Sequence, residues 1–260
     1  MTSIPFFQVD AFTIGPLTGN PAAVMPLERW LDDALLQAIA AENNLSETAF
    51  TIPREDGEAD YDLRWFTPND EAPLCGHATL ATAHALMGGN KLRFSTRKSG
   101  VLTVSREDDL LVLDVPAHPV APDEDPGLLD ALGVSGELFV GHRAESAAIV
   151  LLENEDAVRA VIPDFQALKT FHDLVIVTAP GNDQDVASRV FAVPCGIGED
   201  PVTGAAHAAL APFWAARLGR DRFTALQASK RGGLLRCRLD GDRVLLGGHC
   251  HTVIVGQFQL

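Results

Sequence analysis

A thiol, an imidazole and a glycine stand together at Cys75-Gly76-His77, where they could carry proton-transfer chemistry. A thiol at a helix N-terminus is expected to lose its proton more easily, so Cys75 could serve as a base or nucleophile. A small buried filler is the alternative role for this residue. His77, at the same position in the fold, can donate to an anion or carry a proton.

A carboxylate suited to acid/base work is Glu47, in the otherwise uncharged run 45–50. A carboxylate among apolar neighbours holds its proton more strongly than one in water, as a general acid/base near neutral pH requires. The alternative is an outward-facing strand position without a chemical role.

The segment around Cys75 is repeated about half a chain later. Pro73 aligns with Pro201, Gly76 with Gly204, and Arg64-Trp65-Phe66 with Arg189-Val190-Phe191. A single repeat at this distance predicts two similar domains. We expect the two copies to face each other across one cleft.

Each copy leads into an uncharged stretch, residues 72–90 and 201–216. A helix that is apolar on all sides is buried, so we predict one central helix in each half. Its free N–H groups would bind a carboxylate at Gly76 and at Gly204 with Thr203. Asp200 precedes the second helix as either a plain N-cap or a substrate-facing carboxylate.

The rest of the chain, which must position the two central helices, consists mainly of predicted strands. The predicted class is α+β (mixed α/β), because strands outnumber helices without regular alternation. The Pro-rich and acidic segment 116–127 is predicted to link an N-terminal half, 1–115, to a C-terminal half, 128–260. We leave open that the last strand, near 250–260, packs back on the first half. Pro212 predicts a kink or stop in the second central helix.

Composition limits the partners and the compartment. The chain has 260 residues and a net charge of −15, which argues against nucleic-acid binding. Four cysteines at irregular spacings do not form a disulfide framework. No signal peptide and no membrane-spanning run is apparent, so a cytoplasmic location is expected.

The remaining histidines and cysteines carry weaker signals. His84 and His207 lie in the apolar helices and are interpreted as satisfied core residues. His249-Cys250-His251 is a weak metal motif without a second ligand pair. Neither a metal nor a cofactor is expected.

Four segments together resemble the phenazine-biosynthesis PhzF-like isomerase family. They are Gly19-Asn20-Pro21-Ala22-Ala23-Val24, Asn44-Leu45-Ser46-Glu47-Thr48, Cys75-Gly76-His77-Ala78-Thr79 and Glu199-Asp200-Pro201-Val202-Thr203-Gly204. The resemblance covers the whole chain and implies the diaminopimelate-epimerase-like fold, with two pseudo-symmetric halves that each wrap a central helix. It also makes a homodimer possible.

The resemblance implies that Glu47 is the catalytic acid/base, with Gly76, His77 and Asp200 at the site. Two departures stand out. Ala205 occupies the position of a serine in the phenazine enzyme, which places that substrate in doubt. Diaminopimelate epimerase uses two cysteines; Cys75 matches the first, but Thr203 stands where the second would be.

The function we predict is cofactor-independent isomerisation of a small carboxylate-bearing metabolite. Glu47 would remove a carbon-bound proton and return it elsewhere, while His77, Asp200 and Cys75 position the substrate or assist. Two alternatives remain open: an amino-acid racemase or epimerase with Cys75 as one base and Glu47 or Asp200 as the other, and a non-catalytic binding or interaction protein of the same fold.

Overall fold

The computed structural model of the chain describes residues 3–141 and 147–260. The chain divides into two compact units. Unit 1 comprises Met1–Asp114 with Gly247–Leu260, and unit 2 comprises Val115–Leu246. Both units combine strands and helices, which confirms the predicted α+β class.

Unit 1 begins with strands on both sides of a first helix and continues with a second helix and three further strands. Its elements are β1 (Ser3–Thr13), β2 (Asn20–Pro26), α1 (Asp33–Asn43), β3 (Glu47–Pro53), β4 (Tyr61–Phe66), β5 (Glu71–Ala72), α2 (Gly76–Leu86), β6 (Lys91–Thr96), β7 (Val101–Glu107) and β8 (Leu110–Pro116).

Unit 2 has the same kinds of elements in the same order after an additional strand and helix. They are β9 (Val120–Asp123), α3 (Pro126–Leu132), β10 (Glu137–Gly141), β11 (Ala147–Leu151), α4 (Glu155–Ala160), β12 (Leu174–Pro180), β13 (Val186–Ala192), β14 (Ile197–Asp200), α5 (Gly204–Leu218), β15 (Arg222–Gln227), β16 (Gly233–Asp240) and β17 (Arg243–Gln259), whose second part belongs to unit 1.

Strand pairing follows one scheme in both units. In unit 1, β1–β2 is antiparallel, β2–β3 parallel, β3–β4 antiparallel, β4–β6 parallel and β6–β7 antiparallel. In unit 2, the pairs β10–β11, β11–β12, β12–β13, β13–β15 and β15–β16 have the same orientations in the same order. The sequence repeat therefore corresponds to a repeated topology.

The segment from 116 to 127, which composition indicates as a linker, contains regular structure. β9 lies within it and pairs antiparallel with β10, and α3 begins at Pro126 with the Asp125 side chain accepting a hydrogen bond from the Leu128 amide. At the other end of the chain, β17 pairs antiparallel with β1, from Ser3 opposite Gln259 to Thr13 opposite His249.

Each unit has a central helix that is buried over its first turns, as the uncharged stretches predict. Every residue of α2 from Gly76 to Ala83 is buried, and the helix contacts β1, β2, β3 and β7. The hydroxyls of Thr79 and Thr82 donate to helix carbonyls four residues earlier, at 2.6 and 2.7 Å. These polar side chains are therefore satisfied inside the apolar core.

The second central helix, α5, continues through Pro212 instead of stopping there. Proline has no N–H, so the carbonyl of Ala208 loses its helical partner. The backbone N–H of His118 donates to that carbonyl at 2.9 Å. Of the two predicted outcomes, the stop was wrong, because a partner that is distant in sequence replaces the missing hydrogen bond; the kink stays a prediction.

The repeat also preserves a buried ion pair in each unit. Arg64 Nε and Nη2 donate to the two oxygens of Glu71, both at 2.8 Å, and Arg189 donates likewise to Glu199 at 2.7 and 3.0 Å. Arg64 lies over the ring of Phe66, and Arg189 lies over the ring of Phe191, in each case two residues further along the same strand. Paired, bidentate geometry makes these contacts stronger than ordinary surface ion pairs.

We expect Glu199→Gln to lower the free energy of unfolding by about 2 kcal/mol, because it leaves the Arg189 charge in a largely buried setting. The Arg189 side chain is 13% exposed and that of Glu199 is 23% exposed, so the full cost of a buried pair is not expected. Urea unfolding measures the effect. The exposed Glu124→Gln serves as the control, and an equal change in both variants would contradict the prediction.

Candidate active site

In unit 1 the central helix and two parallel strands bring together Glu47, Cys75 and His77, which the sequence predicts at the site. Glu47 is the first residue of β3 and lies beside Ala22 of β2, while His77 is the second residue of α2. Asn20 begins β2. It follows Gly19, whose φ of 79° and closeness to the Ala11 carbonyl leave no room for a side chain.

The imidazole of His77 is the centre of this group. Its Nε2 lies 3.1 Å from Glu47 Oε2. Its Nδ1 lies 3.2 Å from the Asn20 amide nitrogen and 3.5 Å from Cys75 Sγ. Glu47, Cys75 and His77 are 8%, 6% and 4% exposed, and Asn20 is fully buried. The ring is therefore flanked on both sides by buried polar groups.

The facing atoms of Glu47 and His77 are close but poorly aligned. Neither Glu47 Oε2 nor His77 Nε2 makes a hydrogen bond of acceptable geometry, although the two atoms are 3.1 Å apart. Buried polar atoms usually have such a partner, and exceptions occur where a group has a chemical role. Both atoms therefore retain unused hydrogen-bonding capacity inside the protein.

Burial and the neighbouring groups shift the His77 pKa in opposite directions. Burial by itself lowers the His77 pKa, but the neighbouring Cys75 and Glu47 groups raise it, and the result lies well above the ordinary value of 6.5. The Glu47 carboxylate is the cause that persists at neutral pH, because the thiol is then uncharged. A protonated ring presents Nε2–H to Glu47 and Nδ1–H to Cys75 Sγ.

Cys75 behaves differently from the expectation of an easily ionised thiol. Burial, followed by the charge of Glu47, raises its pKa to about 11. Cys75 is the N-cap of α2, yet desolvation outweighs the helix dipole there. The prediction of a lowered pKa was wrong, and a thiolate base at this position is disfavoured at neutral pH.

Unit 2 contains the remaining expected residues in a separate hydrogen-bonded group. Thr203 Oγ1 donates to Asp200 Oδ2 at 2.5 Å, and the Thr203 amide donates to Gln227 Oε1 at 2.8 Å. Gln227 Nε2 donates to the Asp200 carbonyl at 2.7 Å. The N-cap of α5 is Thr203. Asp200 is therefore not a plain N-cap but part of a fixed turn before the helix.

Both central helices start without a side-chain cap. The first helical hydrogen bonds run from Thr79 to Cys75 and from His207 to Thr203. The amides of Gly76 and Gly204 precede these bonds, so the helices themselves do not use them. Ala205 lies partly exposed in the first turn of α5.

Two histidines expected in the core are held by one hydrogen bond each. His207 Nδ1 donates to the Thr203 carbonyl at 2.8 Å, and burial lowers its pKa to about 4. Its Nε2 is buried without a partner, so this ring is only partly satisfied. His84 is half-buried and its Nε2 lies 3.0 Å from Thr252 Oγ1.

Sequence reasoning missed Asn20 and Gln227 as members of these groups. Asn20 stood inside one of the quoted motifs, so its type and position were a usable signal. Gln227 ends an ordinary strand, and only the fold brings it to Asp200 and Thr203. The weak motif at 249–251 gains an ion-pair contact of 3.8 Å between His249 and Asp109.

Comparisons with known proteins identify the relatives of this chain. The family model described as phenazine biosynthesis-like protein, PhzC-PhzF, matches residues 9–256. An uncharacterized isomerase from Pseudomonas aeruginosa is 49% identical over 264 residues, which cover 99% of this chain and 99% of that protein.

Solved structures give the same result. A phenazine biosynthesis protein of the PhzF family from Enterococcus faecalis superposes with a TM-score of 0.92 at 41% identity and covers all of both chains. A hydroxyproline epimerase from Agrobacterium vitis shares the fold alone, with a TM-score of 0.63 at 14% identity over 98% of this chain and 92% of that one. The predicted epimerase-like fold is thereby confirmed. The chain belongs to the phenazine biosynthesis-like PhzC-PhzF family and is an isomerase of that family.

Proposed function

We propose that this isomerase moves a carbon-bound proton in a small carboxylate-bearing metabolite by general acid/base catalysis without a cofactor. The observation that carries the proposal is the buried Glu47–His77 pair, whose facing atoms lie 3.1 Å apart without a well-formed hydrogen bond. A poised but unsatisfied acid/base pair fits a site that a substrate completes.

Glu47 is proposed to remove the proton and return it at another carbon. In a nearly dry pocket the carboxylate has few competing water contacts, so a proton that it accepts is not readily lost to solvent. The His77 imidazolium would stabilise the Glu47 carboxylate before the transfer and the negative charge on the substrate during it.

The substrate carboxylate is proposed to bind to helix N–H groups. The amides of Gly76, and of Gly204 in unit 2, are unused by their own helices and carry partial positive charge, whereas the Thr203 amide already donates to Gln227 Oε1. Asp200 is proposed to position the substrate, since its carboxylate is fixed by Thr203. We further propose a cytoplasmic enzyme that forms a homodimer, as the family resemblance implies.

A racemase that uses Cys75 as a base is the second candidate, and the thiol pKa of about 11 argues against it. A non-catalytic binding protein is the third. In the part of the chain that the structure describes, no helix has the length and apolar character needed to cross a membrane.

Deuterium incorporation tests these candidates directly. The protein is incubated in D₂O with a panel of β,γ-unsaturated carboxylates, α-hydroxy acids and α-amino acids, and products are followed by proton NMR. We expect the double bond to migrate, with deuterium at the new C–H position in part of the product and the substrate's own proton retained in the rest. Exchange with inversion at one carbon would instead support racemisation, and binding without any exchange would support the non-catalytic protein.

A further inference from the structure

Cys75 has no part in the proposed proton transfer, yet its sulfur lies in the pocket with Glu47 and His77. One donor atom from each of these three residues lies within 4.8 Å of the other two. Sulfur, imidazole nitrogen and carboxylate oxygen are the donors that Zn²⁺ and similar soft or borderline cations prefer. Sequence analysis assigns these three residues to one site but predicts no metal there, because their distances depend on how β3 and the N-terminus of α2 pack.

The distances suit a tetrahedral ion. Zn–S and Zn–N bonds of about 2.3 and 2.0 Å place the two donor atoms about 3.5 Å apart in a tetrahedral site. Cys75 Sγ and His77 Nδ1 are 3.5 Å apart. A donor atom of Glu47 lies within 4.8 Å of a donor atom of each of the other two residues, so a shift of the Glu47 side chain would complete the site.

The carboxylate of this trio has an oxygen that a cation would satisfy. Glu47 Oε2 is buried and lacks a well-formed hydrogen bond, and so does His77 Nε2. Glu47 is only 8% exposed, so a nearby cation would stabilise the charge of its carboxylate. The Asn20 amide touches His77 Nδ1 and is the neighbour placed to adjust around an occupied site.

We propose that Glu47, Cys75 and His77 form a site for a soft divalent cation, with Zn²⁺ as the physiological example, and that occupancy inhibits the enzyme. Binding itself requires only the three donors: the S–H bond of Cys75 and one N–H bond of the protonated His77 ring break as the metal bonds form, and both protons pass to the solvent. Inhibition rests on the proposed function, because a metal-bound Glu47 carboxylate cannot take a proton from carbon.

Cadmium is the probe for binding. The full chain is treated with EDTA, dialysed and titrated with Cd²⁺ while the ultraviolet thiolate-to-metal absorption is recorded. We expect a band that saturates at one equivalent in the wild type and is absent in Cys75→Ser. His77→Gln should weaken binding by at least about tenfold. Cys195→Ser, which removes an exposed thiol, should keep the band.

A band that survives in Cys75→Ser and disappears in Cys195→Ser would overturn the proposal, as would the absence of a saturable band in the wild type. Circular dichroism establishes that each variant is folded. Inhibition is tested by measuring deuterium exchange of the wild type with and without Zn²⁺. We expect Zn²⁺ to lower the exchange rate and EDTA to restore it. Failure of exchange altogether would refute the proposed function while the cadmium band still decides the metal site.

Discussion

Replacing Glu47 by glutamine is expected to reduce deuterium exchange by about 10³-fold, because the amide cannot accept the proton from carbon. Glutamine keeps the size of the side chain, and its amide can donate to His77 Nε2 when that nitrogen is unprotonated. Substrate affinity should therefore change little. Turnover and calorimetric binding, measured on the most active acid of the panel, separate the two effects.

Two controls make this result specific to Glu47. The exposed Glu42→Gln should retain wild-type activity, since that residue lies at the solvent-facing end of α1. Cys75→Ala should lose less than about tenfold, because a thiol with a pKa near 11 is not the base. Loss of exchange in Cys75→Ala together with activity in Glu47→Gln would reverse the assignment.

Replacing His77 by glutamine is expected to lower activity by about 10²-fold and to remove a basic limb from the pH profile. Burial lowers the His77 pKa, but the neighbouring Cys75 and Glu47 groups raise it, and the result lies well above its ordinary value. The active form with a protonated ring is then lost as pH rises through the folded-state pKa. His84→Gln, at a half-buried ring with one side-chain contact, should leave the profile unchanged.

The free energy of unfolding, like the activity, should decrease as the pH rises through the folded-state pKa of His77. A histidine whose folded-state pKa is raised stabilises the protein fully below its unfolded pKa, and this contribution is lost as pH rises through the folded value. Urea unfolding of the wild type, followed upward from below pH ~6, should show this loss once the pH passes the raised folded-state pKa, and His77→Gln should show less of it. A His77→Gln profile that retains the basic limb would contradict the role given to the imidazole.

The parts of the fold that the sequence predicts are those governed by local pattern. The uncharged stretches become buried helices, and the alignment of Arg64 with Arg189 corresponds to two equivalent ion pairs. The uncharged stretches and the repeated segment are visible in the sequence without any information on contacts between distant residues. They could therefore be interpreted from one chain alone.

The errors concern effects that only the folded chain determines. Pro212 does not end α5, because His118 supplies a hydrogen bond from another element. The Cys75 thiol is not activated, since burial and the Glu47 charge exceed the helix dipole. Asn20 reaches His77 only after β2 and α2 are in contact. Each case depends on a neighbour that is distant in sequence.

The claim that Glu47 alone carries the proton is tested most directly by the fate of a label. A substrate deuterated at the reacting carbon is converted in a single turnover in ordinary water. We predict that part of the product retains deuterium at its new position, because one shielded carboxylate removes and returns it. A product without deuterium, combined with loss of turnover in Cys75→Ser, would contradict this account and favour two separate bases.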